Sequence, residues 1–184
     1  MTPVIVDAWS LQGITVARDD HTILTDITLD IPQGEITAIV GASGSGKSSL
    51  LKVLAGQLQP LRGRIAGEFS GNNFPIHGQA WRSMSGPDRL AEISELTQFT
   101  STALLVDEPT KAVAPDISAK IHERLLSAAD SGVTIVIVTH EHRWVEQSLD
   151  RAVVVADQHC RYAHPTDIDF LSIQHATMER LRTQ

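Results

Sequence analysis

The first third of the chain alternates apolar and polar residues, as β-strands with one solvent-exposed face do. Segments 3–8, 11–17 and 22–31 follow this pattern and predict an antiparallel layer. Residues 36–40 form a short apolar run that enters a glycine-rich turn, and the apolar spacing becomes helical over residues 48–58. A strand, a loop and a helix are therefore predicted in series.

Farther along, strands and helices alternate. Two continuous apolar runs are typical of parallel strands that are covered on both faces. The predicted elements are a strand, a helix, a strand, a helix, a strand and a helical tail, at 103–106, 115–130, 133–138, 141–148, 152–155 and 166–184. This β-α-β-α-β order predicts an α/β fold with a parallel sheet, right-handed crossovers and flanking helices, preceded by the antiparallel layer.

Length, charge and hydropathy narrow the possible classes of protein. A chain of 184 residues fits one domain, 1–184. The longest apolar run is far shorter than the ~20 residues that cross a bilayer, and an acidic residue stands where a signal peptide would be basic. These features predict a cytoplasmic chain. A net charge of −7 argues against a nucleic-acid partner.

The strongest chemical signal is a loop rich in glycine and serine between the predicted strand 36–40 and the helix that follows. A glycine, four other residues and then Gly-Lys-Ser form a phosphate-binding loop when they lie between a strand and a helix. Lys47 is expected to reach the β- and γ-phosphates, and Ser48 to bind Mg²⁺. ATP and Mg²⁺ are thus the predicted cofactors. The residues predicted to hold the nucleotide here are Gly41, Ala42, Ser43, Gly44, Ser45, Gly46, Lys47, Ser48 and Ser49.

Polar side chains also follow two of the buried strands. Asp107 and Glu108 end the strand 103–106, where Asp107 could hold the metal and Glu108 could orient or deprotonate an attacking water. His140 follows the strand 133–138, at the edge where α/β sheets bind ligands, and could contact the γ-phosphate or the catalytic water. We therefore predict that Glu108 and His140 are catalytic and that Ser48 and Asp107 are metal ligands.

Together these segments resemble the ATP-binding-cassette (ABC) ATPases. GEITAIVGASGSGKSSLLKVLAG resembles the first strand, Walker A loop and helix of that family, LLVDEPT its Walker B segment and VIVTH its H-loop. The resemblance covers about residues 8–160. It implies the ATP-binding, ATP-hydrolysing subunit of a transporter, held on the inner face of the cell membrane by a permease. It also implies a homo- or heterodimer in which each ATP lies between the Walker motifs of one subunit and the signature of the other.

Several positions depart from the family pattern. Lys47 and Asp107 are too close in sequence for a full helical subdomain, which is expected to be largely absent over about 66–90. The family signature, LSGGQ, is replaced by MSGPD at 84–88. Pro87 removes an N–H that could bind phosphate, and Asp88 places negative charge near the nucleotide. A weak half-site is therefore predicted.

Three further family positions are altered or displaced. Gln79 is the candidate for the nucleotide-contacting glutamine of the Q-loop, although it lies almost directly before the signature. Ala114 replaces the aspartate of the D-loop, and Asp116 is offset by two positions. The aromatic residue that stacks on adenine is absent from its expected region, where only Arg18 offers a planar group.

These departures leave two alternatives to a self-sufficient ATPase open. The chain could be a nucleotide-binding regulatory module with little turnover. It could instead be one half of a heterodimeric cassette pair, in which a different subunit supplies an intact signature. A P-loop kinase fits less well, because Glu108 and His140 suit the activation of water better than transfer to a bound acceptor.

Overall fold

The computed structural model describes residues 7–100, 102–149, 151–173 and 175–176. The strands are Asp7–Arg18 (β1), His21–Pro32 (β2), Ile36–Val40 (β3), Arg62–Ala66 (β4), Ile76–His77 (β5), Ala103–Asp107 (β6), Thr134–Val138 (β7), Ala152–Ala156 (β8) and His159–Ala163 (β9). The α-helices are Lys47–Leu54 (α1), Gly86–Phe99 (α2), Pro115–Asp130 (α3) and His142–Ser148 (α4). Short 3₁₀ helices cover Ala80–Ser83 and Pro165–Asp167.

The N-terminal layer is an antiparallel sheet with the order β2-β1-β4. Separate strands at 3–8 and 11–17 were predicted, and this prediction is wrong over the described residues, because β1 is one strand. Trp9 pairs with Ile31 and Ser10 with Asp30, so the ladder continues through the expected break. Strand β4, which the sequence pattern does not reveal, pairs with β1 on its other side.

The second sheet has the order β5-β6-β7-β3-β8-β9 and is parallel except for β9. All five residues of β3 and of β7 are buried. Strands β6, β7 and β3 are neighbours, so the loops that follow them emerge at the same edge of the sheet. The predicted α/β fold, with an antiparallel layer before a helix-flanked parallel sheet, is confirmed.

Alternate side chains of the parallel strands enter two hydrophobic cores. On one face, residues such as Ile39 and Val136 pack with α1 and the antiparallel sheet. On the other face, residues such as Val40 and Ile137 pack with side chains of α2, α3 and α4. Both faces are covered, which explains the continuous apolar runs of these strands. Among the described residues, no helix is both long enough and apolar enough to span a membrane.

Some predicted boundaries shift. Helix α1 ends at Leu54 and not at residue 58, because the chain turns at Gly56 with a φ of +72°. A Cβ at Gly56 would lie 2.5 Å from the Asn72 carbonyl oxygen, so the turn requires glycine. Helix α2 and strand β9 were not predicted. Of the predicted tail, 170–173 and 175–176 are helical, and residues 174 and 177–184 lie outside the described part of the chain.

One contact between helices predicts a sensitivity to acid. His122 of α3 is buried and stacks on Trp144 of α4, with ring centroids 4.1 Å apart and planes at 6°. Burial lowers the pKa of His122 from 6.5 to about 4. Below pH 6.5 the unfolded chain takes up a proton that the native ring does not. The stability contributed by the neutral ring is therefore complete above that pH and is lost as the pH falls toward 4.

We expect His122→Phe, which keeps the aromatic stack, to remove this sensitivity. Between pH 7.5 and 4.5 the wild-type free energy of unfolding should fall by on the order of 2 kcal/mol more than that of the variant. Urea unfolding across this pH range measures the difference. Parallel stability curves for the two proteins would show that the ring does not titrate on unfolding.

Candidate functional site

The phosphate loop lies between β3 and α1, and its backbone geometry requires glycine at two positions. A Cβ at Gly41, where φ is +154°, would lie 2.3 Å from the Val155 carbonyl oxygen. A Cβ at Gly46, where φ is +109°, would lie 2.9 Å from the side chain of Leu24. The loop therefore packs closely against β8 on one side and β2 on the other, which fixes its shape before any ligand binds.

Lys47 is folded back across this loop. Its side chain is 6% exposed, and Nζ donates hydrogen bonds to the carbonyl oxygens of Gly41, at 2.9 Å, and Ala42, at 2.7 Å. Ser45 is also buried, and its Oγ has no hydrogen-bond partner among the described residues. A cradle with a buried ammonium, an unpartnered hydroxyl and the positive end of α1 fits a phosphate group.

A pair of oxygen ligands lies beside the cradle. Ser48 Oγ donates a hydrogen bond to Asp107 Oδ2 at 3.4 Å. Burial, followed by the charge of Glu108, raises the pKa of Asp107, while Ser48 and the cations Arg82 and Lys47 oppose this shift. A hydroxyl and a carboxylate are ligands that Mg²⁺ accepts, and a divalent cation here would relieve the crowding of negative charge.

Glu108 follows Asp107 and has a φ of +52°. His140 Nε2 lies 3.0 Å from one carboxylate oxygen, and Lys111 Nζ lies 2.5 Å from the other. The hydrogen bond with His140 is the largest cause that lowers the pKa of Glu108 to about 2, and Lys111 adds to it. The carboxylate is thus ionised at neutral pH. Sequence reasoning identified Glu108 and His140 but missed Lys111, although its i,i+3 spacing from Glu108 was a usable signal.

Gln79 lies just after β5, at the same edge of the sheet. Strand β5 pairs with β6, and a Cβ at Gly78 would lie 2.3 Å from the Asp107 carbonyl oxygen, so the two chains approach closely. The Gln79 side chain is exposed and makes no hydrogen bond with another described residue. The structure therefore brings Gln79 to the edge of the site but not into contact with its charged groups, and its role stays a prediction.

The MSGPD segment forms the start of α2. Ser85 is the N-cap, accepting a hydrogen bond from the Asp88 N–H and donating one to Asp88 Oδ2 at 2.6 Å. Asp88 therefore already places a carboxylate at the positive end of this helix. At the D-loop position, Ala114 caps α3 without a side-chain hydrogen bond. Arg18 is exposed at the end of β1, where it pairs with His21 of β2.

A cavity of about 360 Å³ adjoins the carboxylates of Asp107 and Glu108. Its lining includes the acidic residues Asp107 and Glu108 and the basic residues Arg82, Arg89 and Lys111. Taken together, the structure gathers Lys47, Ser48, Asp107, Glu108 and His140 at one edge of the sheet. Their catalytic and ligand roles stay predictions.

Known proteins with similar sequences match most of this chain. The family model described as ABC transporter matches residues 24–99. The zinc import ATP-binding protein ZnuC of Acinetobacter baylyi is 22% identical over 210 aligned positions, which cover 91% of this chain and 81% of that protein. The arginine transport ATP-binding protein ArtP of Escherichia coli is 26% identical over 216 positions, which cover 81% of this chain and 88% of that protein.

Solved structures share the fold. The structure of cbiO1 from Clostridium perfringens, described as part of the ABC transporter complex cbiONQ, superposes with a TM-score of 0.66 at 18% identity. The match covers 97% of this chain and 96% of that one. The region matched by the family model contains the phosphate loop, and the relatives align across the whole site. In sequence and in fold, the chain is thus similar to the ATP-binding subunits of ABC transporters.

Proposed function

We propose that this chain hydrolyses ATP with Mg²⁺ and that it acts at the inner face of a membrane by docking on a permease. The observation that carries the proposal is the set of contacts between three strand ends. Lys47 lies in a preformed phosphate cradle, Ser48 contacts Asp107, and Glu108 contacts His140. Nucleotide, metal and water would then meet within one small region, as phosphoryl transfer to water requires.

Each residue has a separate task in this proposal. Lys47 and the loop N–H groups hold the phosphates, while Ser48 and Asp107 would hold Mg²⁺, which neutralises phosphate charge. With a pKa of about 2, Glu108 is too weak a base to accept a proton from water at neutral pH. In this proposal it instead orients the attacking water, by accepting a charge-assisted hydrogen bond from it. His140, whose Nε2 lies 3.0 Å from a Glu108 carboxylate oxygen, would hold that carboxylate in place and contact the γ-phosphate or the water.

We also propose that residues 1–184 form one cassette with a reduced helical subdomain. Between β4 and β6 the described residues form only β5, one 3₁₀ turn and α2. The alignment with the zinc import protein extends over 210 positions, more than the 184 residues of this chain, so that relative has residues without a counterpart here. The names of the relatives give different cargoes, zinc in one and arginine in another. The proposal therefore includes transport but no particular cargo.

One observation favours pairing with a different cassette subunit. Pro87 and Asp88 lie at the start of α2, the end that would face the γ-phosphate bound by a partner subunit. The Ser85 hydroxyl already donates its hydrogen bond to the Asp88 carboxylate, so it is not available to a phosphate. Two copies of this chain would then form two weak sites. A partner with an intact signature would instead complete the site built around Lys47, and that site would carry the turnover.

Restoring the signature tests the function and this alternative together. We expect Mg²⁺-dependent ATP turnover by the purified chain, abolished by EDTA, and a rise of roughly tenfold in the double variant Pro87→Gly, Asp88→Gln, because a phosphate-binding N–H is gained and a like charge is lost. Phosphate release measures both. An unchanged rate in the double variant would support the heterodimer, and absence of turnover in both proteins would contradict hydrolysis by this chain alone.

A further inference from the structure

Arg89 is a buried cation that no described carboxylate neutralises. It lies in α2 and is 4% exposed. Nη1 donates hydrogen bonds to the carbonyl oxygens of Pro109, at 3.0 Å, and Lys111, at 2.8 Å, and Nη2 donates to that of Trp81. A buried guanidinium is costly unless its donors are used. Here Nη1 and Nη2 join α2 to the 3₁₀ turn and to the loop that follows Glu108, while Nε is buried without a hydrogen-bond partner among the described residues.

The same loop carries the cation that contacts Glu108. Arg89 fixes the Lys111 backbone, and the Lys111 N–H donates to the Glu108 carbonyl oxygen at 3.3 Å. This short turn brings Lys111 Nζ to within 2.5 Å of one carboxylate oxygen, while His140 engages the other. Both oxygens of Glu108 are therefore engaged by protein groups, and an incoming water must compete with them.

Helix α2 connects this arrangement to the degenerate signature. Ser85 caps the helix, and its carbonyl oxygen accepts a hydrogen bond from the Arg89 N–H at 3.0 Å. Arg89 thus lies one turn from the segment that faces a partner in the proposed dimer. A displacement of that segment would move the Arg89 side chain. The backbone at Pro109 and Lys111 would shift with it, because their carbonyl oxygens accept hydrogen bonds from Arg89. The 360 Å³ cavity beside Lys111 leaves room for its side chain to move away from Glu108.

We propose that Arg89 and Lys111 are positioning residues that form a latch: Arg89 ties α2 to the loop 109–112, and this holds the Lys111 ammonium on Glu108. The latch keeps turnover low until α2 is displaced. This inference rests on the proposed ATP hydrolysis, because it concerns how readily Glu108 can engage water. It differs from a structural role for Arg89, which would stabilise the fold without limiting turnover.

Removing the lysine side chain tests the latch directly. Lys111 is 62% exposed at its side chain, so Lys111→Ala should fold normally. We expect kcat to rise about three- to fivefold with KM for ATP unchanged, the effect of releasing one partly exposed ion pair. Lys111→Arg, which retains a cation, should lie closer to the wild type. Lys120→Ala, at an exposed lysine of α3, is the matched control and should leave kcat unchanged.

A double-mutant cycle tests whether Arg89 acts through Lys111. Arg89→Lys, checked for folding by thermal unfolding, should raise kcat, and adding Lys111→Ala should bring no further increase. Additive effects would overturn the coupling. If the wild type turns over ATP but Lys111→Ala has the same kcat, the latch is wrong and the proposed function stands. If neither protein turns over ATP, the latch and hydrolysis by this chain alone both fail, whereas activity only in Lys111→Ala supports both.

Discussion

Replacing Glu108 with Gln should abolish ATP turnover and leave ATP bound. The amide keeps the size of the side chain but loses the charge that orients water, and a positioned acid or base group contributes about 10²–10⁴ in rate. The cradle around Lys47 does not involve the Glu108 carboxylate, so nucleotide affinity should change little. Phosphate release and nucleotide binding are measured in parallel on the same preparation.

An exposed glutamate provides the control for this substitution. Glu123 lies on the solvent side of α3, and Glu123→Gln should retain wild-type turnover. Turnover that persists in Glu108→Gln would place the water-orienting group elsewhere and would contradict the proposed mechanism. Loss of both ATP binding and turnover would indicate that the substitution disturbs the loop 109–112. The melting temperature measured by thermal unfolding would then be lower than that of the wild type.

Lys47→Ala should remove ATP binding and with it all turnover. The ammonium is held within the cradle by hydrogen bonds to the carbonyl oxygens of Gly41 and Ala42, and in the proposed function it binds the phosphates there. Charge-assisted hydrogen bonds contribute about 1.5–3 kcal/mol each, so the loss of one to two of them should weaken binding about a hundredfold or more. Titration with a fluorescent ATP analogue measures the affinity.

A second lysine of the same helix separates charge from position. Lys52 lies in the last turn of α1, away from the phosphate cradle, and Lys52→Ala removes the same charge from the protein. We expect its affinity for ATP to match that of the wild type. Equal weakening in both variants would mean that net charge, and not the geometry of the loop, governs binding. Unchanged binding in Lys47→Ala would contradict the assignment of the cradle.

The elements predicted correctly from sequence are those whose pattern has one physical cause. Helix α3 was predicted with its exact bounds, because Pro115 can start a helix and Gly132 ends one. Strands β3, β6, β7 and β8 are buried on both faces, so their apolar runs are continuous. The candidate site follows from these strands, since its residues come at their carboxyl ends.

Other features depend on contacts that no local pattern encodes. Strand β4 has exposed polar residues, and only its pairing with β1 makes it a strand. The register of β1 against β2 joins two segments that appear separate in the sequence. The contact between Lys111 and Glu108 depends on the tight turn at Glu108, whose positive φ the sequence does not suggest. The burial of Arg89 depends on the packing of α2 over the loop 109–112.

The position of β3 within its sheet has a consequence for biosynthesis. Its neighbours are β7 and β8, so the strand that leads into the phosphate loop lacks both partners until roughly 100 further residues have left the ribosome. At ordinary rates of translation that delay is on the order of 5–20 s. During it the nascent chain exposes an apolar strand and an unformed nucleotide site. We therefore expect chaperones that bind nascent chains to have access to this apolar strand before ATP can bind, and a chain interrupted before β8 to lack ATP binding.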